Sequence, residues 1–165
     1  GKTPEEIGAL AFPDAPRAEL EAEMQKLYEY ENELLCHCGG ILYPRLPETL
    51  AALAQKYALF VVSNSQDGYV QAFLHWSGLT CFRDIEMAGR TGLDKGGNIR
   101  LVMERNGVTK AVYVGDTQGD ADAAAKAGIP FIFTEYGFGS VKDAAARIAS
   151  LPELPAAVEK IFAEQ

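Results

Sequence analysis

The sequence predicts an α/β fold in which a parallel sheet is covered by helices on both faces. From Pro47 onward, short apolar runs alternate with longer amphipathic stretches, and the runs are apolar at consecutive positions, as in strands buried on both sides. Turn residues punctuate each unit, among them Asn106-Gly107 and Gly128 with Pro130 beyond it. A chain of 165 residues with 48% hydrophobic content can bury one sizeable core, so one domain with at most a small appendage is expected.

The elements follow in order. Thr3-Pro4-Glu5-Glu6 has the form of a capping box, with Thr3 as N-cap and Pro4 at the first helical position. A second helix begins near Asp14 to Arg17, where Leu20, Met24, Leu27, Leu34 and Leu35 keep a helical stripe. His37 to Pro44, containing Gly39-Gly40, breaks that pattern and reads as a linker. Residues 1–42 are therefore expected to form a helical unit and 43–165 the α/β unit. In the latter, a helix Pro47 to Tyr57 leads to a strand Ala58 to Val62, and a helix Asp67 to Ser77 to a weaker strand Asp84 to Met87. A helix Gly97 to Arg105 leads to the strand Ala111 to Val114, and the alanine-rich helix Ala121 to Ala127 to the strand Phe131 to Thr134. Val141 to Glu164 reads as two amphipathic helices, the second opened by Pro152.

The charge narrows the partners. With 23 acidic and 15 basic residues the net charge is −8, which repels a phosphate backbone, so no nucleic acid is expected. Small anions remain open, because a bound cation and a few aimed donors reverse the field locally. No apolar run approaches the roughly 18 residues that span a bilayer, so no membrane is expected. Cys36, Cys38 and Cys81 are too few and too unevenly spaced for a disulfide framework or a zinc site, which points to a reducing cytoplasm.

In an open parallel sheet ligands gather beyond the carboxyl ends of the strands, so chemistry is sought there. Ser63-Asn64-Ser65 offers small donors for a phosphoryl oxygen; an isolated pair of this kind is more often a turn or cap. Gly92-Leu93-Asp94-Lys95-Gly96-Gly97 places one cation on a glycine-flanked loop, where a solvated lysine is the plain alternative. Gly115-Asp116-Thr117-Gln118-Gly119-Asp120 carries two carboxylates one helical turn apart, suited to a hard cation, although either can cap the following helix. Tyr136-Gly137-Phe138-Gly139 reads as a shaped loop near the site with no chemistry of its own.

Taken in order, the strand with Ser63-Asn64, then Lys95, then the strand with Gly115-Asp116 and Asp120 resembles the second, third and fourth motifs of the haloacid dehalogenase superfamily. The run from Leu42 to Gly139 is similar to its phosphoglycolate-phosphatase-like branch. The resemblance implies a Rossmann-like core in 43–165 and a partial helical cap in 1–42. It implies a Mg²⁺-dependent phosphohydrolase of small phosphorylated metabolites that works through an aspartyl-phosphate. Ser63 and Asn64 would bind the phosphoryl group, Lys95 would offset its charge, Asp116 would bind the metal, and Asp120 would support the metal or Lys95. The family's first motif, Asp-x-Asp on a central strand, supplies the nucleophile and is not found here, so an N-terminal segment of the same protein is the expected partner. Arg45 stands where the family commonly has glycine after Tyr-Pro. Two other readings are a catalytically silent binding module and a P-loop nucleotide enzyme, the latter because Gly1-Lys2-Thr3 can end a Walker sequence.

Overall fold

The computed structural model describes residues 4–14 and 16–164. The cap expected at Thr3 lies outside them. Two helices open the chain, α1 (Pro4–Ala11) and α2 (Arg17–Cys38). Of the predicted α2 stripe only Met24 is fully buried, while Leu27 and Leu34 stay about half exposed. Helix α2 packs on α4 (Tyr69–Ser77). The approach is close where α2 ends: Gly39 has φ 59°, and a Cβ there would stand 1.6 Å from Trp76 Cε2, so backbone and contact both demand glycine.

The predicted linker spans residues 39–45, since α2 runs on to Cys38. It ends at Arg45, whose φ of 62° puts a side-chain-bearing residue in the left-handed region. This is the position where the resemblance expects glycine. Helix α3 (Leu46–Ala54) starts immediately after it.

The α/β unit continues with β1 (Leu59–Ser63), α4, β2 (Phe82–Met87), a single turn α5 (Ala88–Thr91) and α6 (Lys95–Arg105). Then come β3 (Tyr113–Gly115), α7 (Gln118–Ala127), β4 (Phe131–Thr134), β5 (Ala146–Ile148) and α8 (Leu154–Ala163). All pairings are parallel, β1 with β2 and β3 with β4 with β5. Helices cover both faces of the second sheet. Ile132 turns toward Leu53 of α3 and Leu154, Val158 and Ile161 of α8, whereas Phe131 and Phe133 turn toward Ala121 and Ala124 of α7.

The inner strands β1 and β3 do not pair with each other. Between them lies an apolar cleft of about 670 Å³, walled by Leu59–Val62 on one side and Val112–Val114 on the other. The Tyr113 side chain crosses it, its hydroxyl donating to the Val62 carbonyl at 2.9 Å. Burial, and then the charges of Asp120 and Asp116, push that phenol well above its ordinary pKa, so it stays a donor.

One expectation is corrected. Val141 to Glu164 does not form two helices; β5 lies in its first half, and Pro152 sits in a short 3₁₀ turn (Leu151–Glu153) that leads into α8. The alanine-rich stretch has helix propensity, but the free edge of β4 offers a ladder, and Ile132, Phe133 and Thr134 pair with Ala146, Arg147 and Ile148. Ile148 is thereby buried, and Arg147 lies over the Phe133 ring at 5.1 Å.

Candidate active site

The parallel arrangement brings the carboxyl ends of the strands to one rim. Ser63 closes β1, and its Oγ accepts the Ser65 N–H at 3.1 Å, which folds the following loop tightly. Helix α6 starts at Lys95 because Asp94 caps it, accepting the Gly97 N–H at 2.7 Å. Gly96 lets α6 approach α7: a Cβ on it would stand 3.1 Å from the Ala123 carbonyl. That approach aims Lys95 at the start of α7.

Lys95 Nζ donates to Asp120 Oδ1 at 2.5 Å, with both side chains largely buried (13% and 7% exposed). The other oxygen, Oδ2, accepts the Asp116 N–H (3.2 Å), the Thr117 N–H (3.0 Å) and the Thr117 hydroxyl (2.8 Å). The Asp120 N–H in turn donates to Thr117 Oγ1, completing a capping box at the start of α7. Asp120 therefore fixes Lys95 and the Asp116–Thr117 turn together. Burial opposes its ionisation, but the Lys95 hydrogen bond and charge and the Thr117 donors outweigh it, holding the carboxyl below its ordinary 3.8. A depressed carboxyl pKa gives stability that is present above the unfolded value and lost as pH falls through the folded one. Acid titration monitored by unfolding is thus expected to show an Asp120 contribution that disappears only below about pH 4 and is missing in Asp120→Asn.

Ser63, Asn64 and Lys95 line one cavity of about 620 Å³. Its opposite wall is α2, through Met24, Leu27, Tyr28, Glu31 and Leu34. The wall is tied to the loop after β1: Gln66 Nε2 donates to Glu31 Oε2 (2.8 Å) and Asn32 Oδ1 (3.2 Å), and Asn32 Nδ2 donates to the Asp67 carbonyl (2.9 Å). Asp116 does not line this cavity. It is half-buried just past β3, beneath the Gly137–Gly139 turn, where its Oδ2 accepts the Phe138 N–H at 2.8 Å. Asp116 Oδ1 has no hydrogen-bond partner among the described residues.

Mg²⁺ takes hard oxygen ligands and is commonly held by one or two carboxylates with water and phosphate completing its shell. Asp116 fits one such ligand; Asp120, whose oxygens already accept four hydrogen bonds, is placed first to hold Lys95 and the Asp116–Thr117 turn. Among the described residues no group of three or more His, Cys, Asp or Glu is placed to hold a metal. The five predicted residues thus form a connected chain: Ser63, Asn64 and Lys95 line the same cavity, Lys95 is bonded to Asp120, and Asp120 to the backbone of Asp116. Sequence reasoning missed the Gln66–Glu31–Asn32 contacts, which join residues far apart in the chain. It also assigned no role to Gly137 and Gly139, although glycines flanking one residue after an apolar strand are a mark of close backbone approach.

Comparison with known proteins agrees with this architecture. The family model described as haloacid dehalogenase-like hydrolase matches residues 11–134. A phosphoglycolate phosphatase of Shigella boydii serotype 4 (strain Sb227) is 28% identical over 131 residues, which cover 76% of this chain and 52% of that protein. The chain therefore spans about half the length of the curated relatives it matches. A haloacid dehalogenase-like hydrolase from Bacteroides fragilis superposes with a TM-score of 0.77 at 23% identity, over 93% of this chain and 78% of that one. An HAD phosphatase from Thermococcus onnurineus gives 0.69 at 26% identity, over 83% and 69%. With three motif loops at one rim and a matched family model covering most of its length, the chain belongs to the haloacid dehalogenase-like hydrolases.

Proposed function

We propose that the complete protein is a Mg²⁺-dependent phosphohydrolase of small phosphate monoesters. The observation that carries this reading is the convergence of Ser63, Asn64 and Lys95 on one cavity, with Lys95 held there by a buried carboxylate. Residues 1–42 act as part of a cap and 43–165 as the catalytic core. The β1–β3 cleft takes a strand of the same protein from outside residues 1–165, and that strand brings the aspartate that forms the aspartyl-phosphate.

Within this chain, Ser63 and Asn64 donate to the transferring phosphoryl oxygens and set its orientation. Lys95, held in place by its ion pair with Asp120, stabilises the negative charge that these oxygens carry in the transition state. Asp116 supplies a carboxylate oxygen to Mg²⁺, which when bound offsets phosphate charge. The α2 wall, latched to the Ser63–Asp67 loop by Glu31 and Asn32, screens the cavity from water.

The test is phosphate release by the complete protein from a panel of small phosphomonoesters, with Mg²⁺ and with chelator. Release is expected to need Mg²⁺, and Asp116→Asn to raise the Mg²⁺ requirement by about tenfold or more. Binding of phosphate without turnover would instead favour a silent binding module, and unaltered Mg²⁺ dependence in Asp116→Asn would remove that residue from the site.

A further inference from the structure

The turn that follows β4 lies directly on Asp116. A Cβ on Gly137 would stand 2.2 Å from Asp116 Cβ and 2.5 Å from its Oδ2, and a Cβ on Gly139 would stand 2.4 Å from the Asp116 carbonyl oxygen. Neither glycine has a positive φ, so contact rather than backbone conformation excludes a side chain at both. Between them Phe138 points its ring into solvent, 95% exposed, while its backbone N–H donates to Asp116 Oδ2 at 2.8 Å. The turn is itself anchored: the Gly137 N–H donates to the Thr134 carbonyl at 3.2 Å, and the Tyr136 ring meets Tyr43 edge-on with centroids 5.1 Å apart.

We propose that Gly137-Phe138-Gly139 is a positioning device for Asp116, in which the two glycines admit the backbone and the Phe138 amide pins one carboxylate oxygen so that the other faces the metal. This deepens the reading of Asp116 as a Mg²⁺ ligand and rests on it. A carboxylate on a free χ2 rotor samples many orientations; one amide donor on Oδ2 removes most of that freedom and sets the direction of the Oδ1 lone pairs. Partners of this kind, acting on a ligand rather than on the ion, typically change metal affinity by about 10–100-fold when removed. The exposed ring contributes nothing to the contact, so the sequence requirement is on the backbone at Phe138 and on the absence of a Cβ at its neighbours.

The experiment is direct Mn²⁺ binding to the complete protein, read from the electron paramagnetic resonance signal of the free ion, together with the Mg²⁺ requirement for phosphate release. Gly137→Ala and Phe138→Pro are expected to weaken Mn²⁺ binding by about 10–100-fold. Phe138→Ala keeps the amide, and its effect is expected to fall far short of that of Phe138→Pro. Should Gly137→Ala fail to fold, the two Phe138 variants carry the test at an exposed position. Asp116→Asn separates the two levels: unchanged Mn²⁺ binding in that variant overturns the metal-ligand reading itself. Loss in Asp116→Asn with unchanged binding in Gly137→Ala and Phe138→Pro, or equal losses in Phe138→Pro and Phe138→Ala, overturns the positioning role alone.

Discussion

Lys95→Met in the complete protein is expected to lower phosphate release about 10²–10³-fold, the usual consequence of removing one aimed stabiliser of transition-state charge. The same change is expected to destabilise the fold by about 3–5 kcal/mol, because it leaves a buried carboxylate without its cation. The lower end of that range applies, since Asp120 Oδ2 keeps its donors from Asp116 and Thr117. The two effects come apart in the double variant. Lys95→Met with Asp120→Asn removes the uncompensated charge, so urea unfolding should recover much of the lost stability while phosphate release stays low. If release recovers along with stability, Lys95 acts through the fold and not on the phosphoryl group. If Lys95→Met leaves both unaltered, the pair is neither catalytic nor structural, against its burial.

Much of this arrangement was legible in the sequence and some was not, for definite reasons. The apolar runs ending at Ser63, Gly115 and Thr134 could be read because a strand with helices over both faces keeps an unbroken hydrophobic signal, although only β4 is buried along its whole length and β1 and β3 are half-buried. Lys95, Asp116 and Asp120 could be named as candidates for the site from their loops. Which of its two expected roles Asp120 takes, support of the metal or of Lys95, is open in the sequence: its bond to Lys95 depends on how closely α6 packs on α7, and that depends on Gly96 meeting Ala123 and Lys126. Strand β5 was hidden because Ala144-Ala145-Ala146 favours helix locally, and only the open edge of β4 overrides it. The α2 stripe looked like a core face, yet in the structure Leu27 and Leu34 are exposed, and periodicity alone does not say what covers a face.

The second large effect concerns the cleft between β1 and β3. Both inner strands carry backbone groups that no described residue pairs, apart from the Val62 carbonyl held by Tyr113. Each buried backbone group left without a partner costs roughly 1–3 kcal/mol, so a strand that fits the cleft gains from every bond it completes. Amides of β1 and β3 that do not pair with β2 or β4 are therefore expected to exchange with deuterium at least about tenfold more slowly in the complete protein than in residues 1–165 alone. Phosphate release is expected from the complete protein only. Tyr113→Phe adds a second discriminator. In residues 1–165 alone it removes the Tyr113–Val62 bond across the cleft and should cost about 1 kcal/mol, whereas a strand in the complete protein supplies Val62 with another donor and makes the change nearly neutral. Equal exchange in the two forms, or an equal cost of Tyr113→Phe in both, would mean that no strand enters between β1 and β3, and the nucleophile would have to reach the Ser63–Lys95 cavity by another route.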